Sequence, residues 1–142
     1  MKSPALARAI ARLTLTKKAD DVVMMDLRGL TSMTDFFVVC SADSEVQIRA
    51  IADVVDDGME QKGAIAWHRE SGSPNWVLLD YVDVVLHIFN RTTRTFYSLE
   101  KLWGDAKIQR VGDQAAVRKT RTPPAKKAKR LPVKKKRVVR AS

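Results

Sequence analysis

The stretch DLRGLTSMTDFFVVCSADS, Asp26 to Ser44, decides the fold of this 142-residue chain. Asp26-Leu27 ends one apolar run, and Arg28-Gly29 opens a turn in which glycine takes a positive φ without a Cβ clash. Asp35 introduces a second apolar run, Phe36 to Ser41. Ser44 and Gln47, three residues apart, form a capping box: each side chain satisfies a backbone donor left free at a helix start. These residues therefore write a β-turn-β-loop-α unit.

Upstream, Ser3-Pro4 is a good helix start, and Leu6, Ile10 and Leu13 give one apolar stripe. Arg8, Arg12, Lys17 and Lys18, with no acid before Asp20, also suit an organelle transit peptide. The stripe favours an integral first helix, with Lys17 and Lys18 at its negative end. Asp21 to Leu27 then reads as the first strand.

Downstream, Ser44 to Lys62 reads as a helix with Ile48, Ile51, Ala52, Val55 and Met59 on one face and Gly63 as its cap. Ala64 to His68 is expected as a third strand, followed by the turn-rich SGSPN at 71–75. Trp76 to Leu79 and Val84 to Phe89 form a hairpin around DYVD. Alternation puts Trp76, Leu78 and Asp80 on one sheet face and Val77, Leu79 and Tyr81 on the other. Both faces carry apolar groups, so Trp76 and Leu78 either complete a core or meet a partner. A last helix is expected from Thr93 to Trp103, anchored by Tyr97, Leu99, Leu102 and Trp103 and capped by Gly104. The fold class is α/β, a small mixed sheet flanked by helices in the order α-β-β-α-β-β-β-α, occupying residues 1–112.

Charge divides the chain in two. Residues 1–117 hold 14 Lys+Arg against 16 Asp+Glu, whereas residues 118–142 hold 12 Lys+Arg and no acid. The segment from 113 onward, rich in proline and poor in apolar groups, is expected to be disordered alone and to seek a polyanion. Its candidate RNA contacts are Lys126, Lys127, Lys129, Arg130, Lys134, Lys135, Lys136 and Arg137. The body shows no helical basic stripe in its sequence, and the tail has no aromatic residue to stack a base.

The catalytic inventory is thin. No glycine-rich phosphate loop is present, and His68 and His87 have no second ligand at metal-binding spacing, so no cofactor or metal is expected. Cys40 is the sole cysteine, which excludes an internal disulfide and suits a cytoplasmic protein. Cys40 and His87 can be drawn as nucleophile and base, but a cysteine inside FFVVC reads better as a buried, inert core residue. Asp26, Asp35, Asp80 and Asp83 flank strand ends, where turn capping is preferred over acid-base or Mg²⁺ chemistry. Trp67 and Trp103 are expected in the core, and Trp76 at a contact surface. No apolar run reaches the roughly 20 residues needed to cross a bilayer.

DLRGLTSMTDFFVVCSADS, WVLLDYVDVVLHIF and FYSLEKLWGDA together resemble the ribosomal silencing factor family, also called the Iojap family, in order and spacing over about residues 5–107. The resemblance implies a domain related to the nucleotidyltransferase fold without its catalytic acids, and a binding function rather than turnover. By it, the protein docks on ribosomal protein number fourteen of the large subunit, blocks joining of the small subunit, and lowers translation in starvation or stationary phase. It maps the partner contact onto Trp76, with Leu78 and Asp80 as neighbours. Two positions depart from the family pattern: Val82 stands where glycine is common, so a different hairpin turn is expected, and Ala42-Asp43 replaces a Gly-Thr lead-in. The alternative is a nucleic-acid-binding or ribosome-biogenesis protein acting mainly through the basic tail. A sheet edge or the Trp76 face would also serve a homodimer.

Overall fold

The structure, a computed structural model, describes residues 1–112. The basic tail and its expected RNA contacts lie outside the described residues. Ten elements follow in order: α1 Ser3–Leu15, β1 Asp20–Asp26, β2 Phe36–Ala42, α2 Glu45–Gln61, β3 His68–Ser73, β4 Trp76–Asp80, β5 Val84–Asn90, α3 Arg91–Tyr97, α4 Leu99–Leu102 and β6 Lys107–Arg110. The expected mixed α/β sheet flanked by helices is what forms.

The six strands lie in the order β3-β4-β5-β2-β1-β6. β2 and β5 run parallel, with Phe37 opposite Val85 and Val39 opposite His87, and the other neighbours are antiparallel. Strand alternation sorts the apolar residues onto two faces. Met24, Val38, Cys40, Val77, Leu79, Leu86 and Ile88 are buried with Leu6 and Ile10 of α1 and Ile48, Ile51, Val55 and Met59 of α2. The second face carries a smaller cluster, Val23, Met25, Leu27, Val39 and Phe89, closed by Leu99, with Phe37, Trp76 and Trp103 packed on it.

Capping follows the sequence closely. Ser44 Oγ accepts from the Gln47 N–H at 3.1 Å, and Gln47 Oε1 accepts from the Asp43 N–H at 2.7 Å. The Gln47 amide also donates to the Lys17 and Lys18 carbonyls at 3.1 and 3.0 Å, so one side chain ties the start of α2 to the end of α1. Gly63 follows α2 at φ +87, the left-handed conformation of a helix stop.

Three expectations are corrected. The third strand begins at His68 and runs through Ser71 and Ser73, because β3 is an edge strand: pairing with β4 satisfies its backbone, and no buried side chain is required. The last helix is broken at Ser98, where φ is +47, so α3 and α4 are separate and Tyr97 and Leu102 are exposed, while Leu99 is buried. After them the chain adds β6 beside β1, which a run of lysine, glutamine and arginine did not announce.

Candidate docking face

The two helical layers are unequal, and that inequality makes the site. Helices α1 and α2, 13 and 17 residues long, cover one sheet face. The other face has only the short α3 and α4, whose buried anchor is Leu99. Over β4 the second face is left half-exposed.

Trp76, Leu78 and Asp80 stand at alternate positions of β4 and are all half-buried, on the side the alternation predicted. They lie opposite Phe89, His87 and Val85 of β5. The Trp76 ring is 4.9 Å from Phe89 and 4.6 Å from Tyr97, and its Nε1–H donates to His87 Nδ1 at 3.2 Å. The indole's polar group is thus spent inside the protein, and what the half-buried ring still exposes is apolar.

His87 is only 5% exposed, and burial lowers its pKa to about 4, so it is neutral near pH 7. Because Nδ1 accepts from Trp76, the imidazole proton sits on Nε2, which is buried without a hydrogen-bond partner. Phe37 packs edge-on against the ring at 4.5 Å between centroids.

Next to this patch is an apolar cleft of about 330 Å³, walled by Met33, Phe37, Trp67, Val82, Val85 and Trp103, with Asp80 contributing a carboxylate. Trp67 corrects the core expectation: it is 69% exposed. Its backbone N–H donates to the Asp80 carbonyl at 2.8 Å, which fixes it at the edge of the sheet just before β3. Trp103 is half-buried against Phe37, as an anchor should be.

The turn beneath the cleft corrects a second expectation. Val82 keeps the positive φ, at +73, despite its β-branch. Asp83 donates its N–H to the Tyr81 carbonyl at 2.9 Å, Tyr81 donates to the Val84 carbonyl at 2.8 Å, and Asp80 Oδ1 accepts from the Val82 N–H at 2.7 Å. These bonds hold a side chain in a region that disfavours it. Asp80 is therefore a turn-capping residue as well as a member of the patch. Asp26 caps similarly, accepting from the Arg28 N–H at 3.0 Å and from its guanidinium at 3.0 and 2.8 Å.

The sheet also disposes of the thiol-imidazole pair. Cys40 is buried beneath α1 and α2, whereas His87 lies opposite Val39 on the other face, so the sheet separates them. Burial raises the Cys40 thiol to about 12, which leaves no thiolate near pH 7. Among the described residues, no group of three or more His, Cys, Asp or Glu could hold a metal ion, and no helix is long and apolar enough to cross a membrane.

A protein-family model described as "Ribosomal silencing factor during starvation" matches residues 1–138. The chain is 34% identical over 109 residues to the ribosomal silencing factor RsfS of Bacillus subtilis, covering 76% of this chain and 92% of that protein. It is 35% identical over 105 residues to the chloroplastic protein Iojap of Arabidopsis thaliana, covering 74% and 44%. Among solved structures, a crystal structure of a Chromobacterium violaceum protein superposes with a TM-score of 0.71 at 30% identity, covering 79% of this chain and 95% of that one. A Bacillus halodurans crystal structure gives 0.64 at 35% identity, covering 70% and 94%. With the motifs, the mixed α/β fold and these matches in agreement, the chain belongs to the ribosomal silencing factor family.

Proposed function

We propose that this protein is a steric repressor of translation: it docks on the large ribosomal subunit, on ribosomal protein number fourteen, through Trp76, Leu78 and Asp80, and blocks joining of the small subunit in starvation or stationary phase. The observation that carries the reading is the half-exposed β4 face, in a chain of the ribosomal silencing factor family. The face has the chemistry of a protein contact: a rigid aromatic anchor, a leucine, an apolar cleft and one carboxylate. Nothing in this mechanism requires turnover or a cofactor, and it belongs in the cytoplasm.

Sucrose-gradient co-sedimentation with separated subunits tests it. The protein is expected to travel with the large subunit and to reduce joined ribosomes, and Trp76→Ala to weaken the interaction about tenfold or more. Co-sedimentation unchanged by Trp76→Ala would remove this face from the mechanism.

The 12 cations of residues 118–142 support a second reading, in which the tail adds a salt-sensitive grip on ribosomal RNA or acts as the main nucleic-acid binder. Full retention of subunit binding by Trp76→Ala, with loss on neutralising the tail, would favour that alternative.

A further inference from the structure

The folded body is near neutral in sum but not in distribution. The first 19 residues carry Lys2, Arg8, Arg12, Lys17 and Lys18 and no acid. Arg8 and Arg12 are exposed one turn apart on α1, about 6 Å along its axis. By contrast, Asp53, Asp56, Asp57 and Glu60 lie along α2, where Arg69 of β3 pairs with the first two.

Folding then adds cations from distant parts of the chain. A cleft of about 230 Å³ beside α1 is lined by Arg8, by Asp26 and Arg28 around the end of β1, and by Lys107 and Gln109 of β6. Arg28 chelates Asp26. Arg8, Arg12 and Lys107 make no salt bridge among the described residues. A lysine on an edge strand discourages unwanted strand pairing, but that role does not account for two further arginines on the neighbouring helix.

We propose that Arg8, Arg12, Arg28 and Lys107, along the α1–β6 edge, form a second contact surface that grips the phosphate backbone of RNA. Guanidinium groups match phosphate geometry; Arg8 and Arg12, exposed and without a salt bridge among the described residues, lose little on meeting one, whereas Arg28 would share its guanidinium with Asp26. An anionic membrane is the poorer fit, because an interfacial helix needs an apolar outer face, whereas α1 buries its apolar stripe against the sheet. Ile108 of β6 also lines this cleft and is half-exposed, a single side chain that does not make an apolar face. The inference deepens the ribosomal reading and rests on it: ribosomal RNA would be the polyanion, and the β4 face would contact protein.

The test uses the full chain and a short RNA duplex of arbitrary sequence, with binding followed by fluorescence anisotropy across a salt series. Arg8→Gln/Arg12→Gln/Lys107→Gln is expected to flatten the slope of log K against log salt by about 2–3, at roughly 0.7–0.9 for each phosphate left without its cation. Arg49→Gln/Lys62→Gln, which neutralises two cations of the α2 segment, is expected to leave the slope unchanged. The tail is present in every variant, so its share cancels. An unchanged slope in the triple variant would overturn the proposal, as would loss of binding to phosphatidylserine vesicles with RNA binding intact. Trp76→Ala, run alongside, is expected to keep its RNA affinity while losing the large subunit, which separates failure of the basic edge from failure of the docking face.

Discussion

Trp76 Nε1 donates to Nδ1 of His87 at 3.2 Å, a hydrogen bond between neighbouring strands that fixes both the indole and the imidazole tautomer. It makes the half-exposed β4 face dependent on a histidine that is itself buried. Protonation of His87 would set two donors face to face.

That relationship yields a pH dependence with a defined sign. His87 has its folded pKa lowered from 6.5 to about 4 by burial, so between these values the unfolded chain binds the extra proton. Stability is then full above pH 6.5 and falls as pH drops towards 4, by about 3 kcal/mol at most for a shift of this size. Urea unfolding at pH 7.0 and 4.8 should show the loss in the wild type and not in His87→Phe. An equal loss in the two proteins would rule His87 out as the source.

The hydrogen bond can also be removed from the other side. Trp76→Phe keeps an aromatic ring against Phe89 and Tyr97 but leaves Nδ1 of a buried histidine without its donor. The expected loss is about 1–2 kcal/mol of unfolding free energy, read from the denaturant midpoint. In Trp76→Phe/His87→Leu the orphaned acceptor is gone, and part of that loss should return.

At Val82 the expected change has the opposite direction. Glycine would relieve the φ of +73, while adding freedom to the unfolded chain, and Val82 is 55% exposed, so little packing is lost. Val82→Gly should stabilise the protein by about 0.5–1 kcal/mol. A lower denaturation midpoint would show that the valine side chain contributes more to the cleft than its strained backbone costs.

Arg94 anchors α3 to the sheet. Its guanidinium donates to the Asp21 carbonyl at 2.6 Å, to Ser41 Oγ at 2.9 Å and to Glu100 at 2.7 Å, with 12% of the side chain exposed. Arg94→Ala strands three acceptors and is expected to cost about 2–4 kcal/mol. Thermal unfolding would measure it. A change below about 0.5 kcal/mol would mean that water replaces the guanidinium without penalty.

Cys40 provides a check on the core. Its thiol is fully buried and shifted up to about 12, so thiol reagents should label it only as fast as the protein opens. Rapid stoichiometric labelling of the native protein would place Cys40 elsewhere.

The sequence by itself determined the elements whose signals are local. Ser44 and Gln47 cap α2 because a capping box needs only residues three apart, and Ile48, Ile51, Ala52, Val55 and Met59 are buried as their spacing requires. The alternation of Trp76, Leu78 and Asp80 survives because strand period is a local property. Tertiary structure decided the rest. Strand β3 is polar and still a strand because its partner supplies the hydrogen bonds, and Trp67 is exposed because an edge has no layer above it. Ser98 breaks the last helix at a left-handed residue that helical spacing does not reveal. The Trp76–His87 bond, the sheet between Cys40 and His87, and the placing of Arg8 and Lys107 on one cleft all depend on tertiary structure, which brings together residues far apart along the chain.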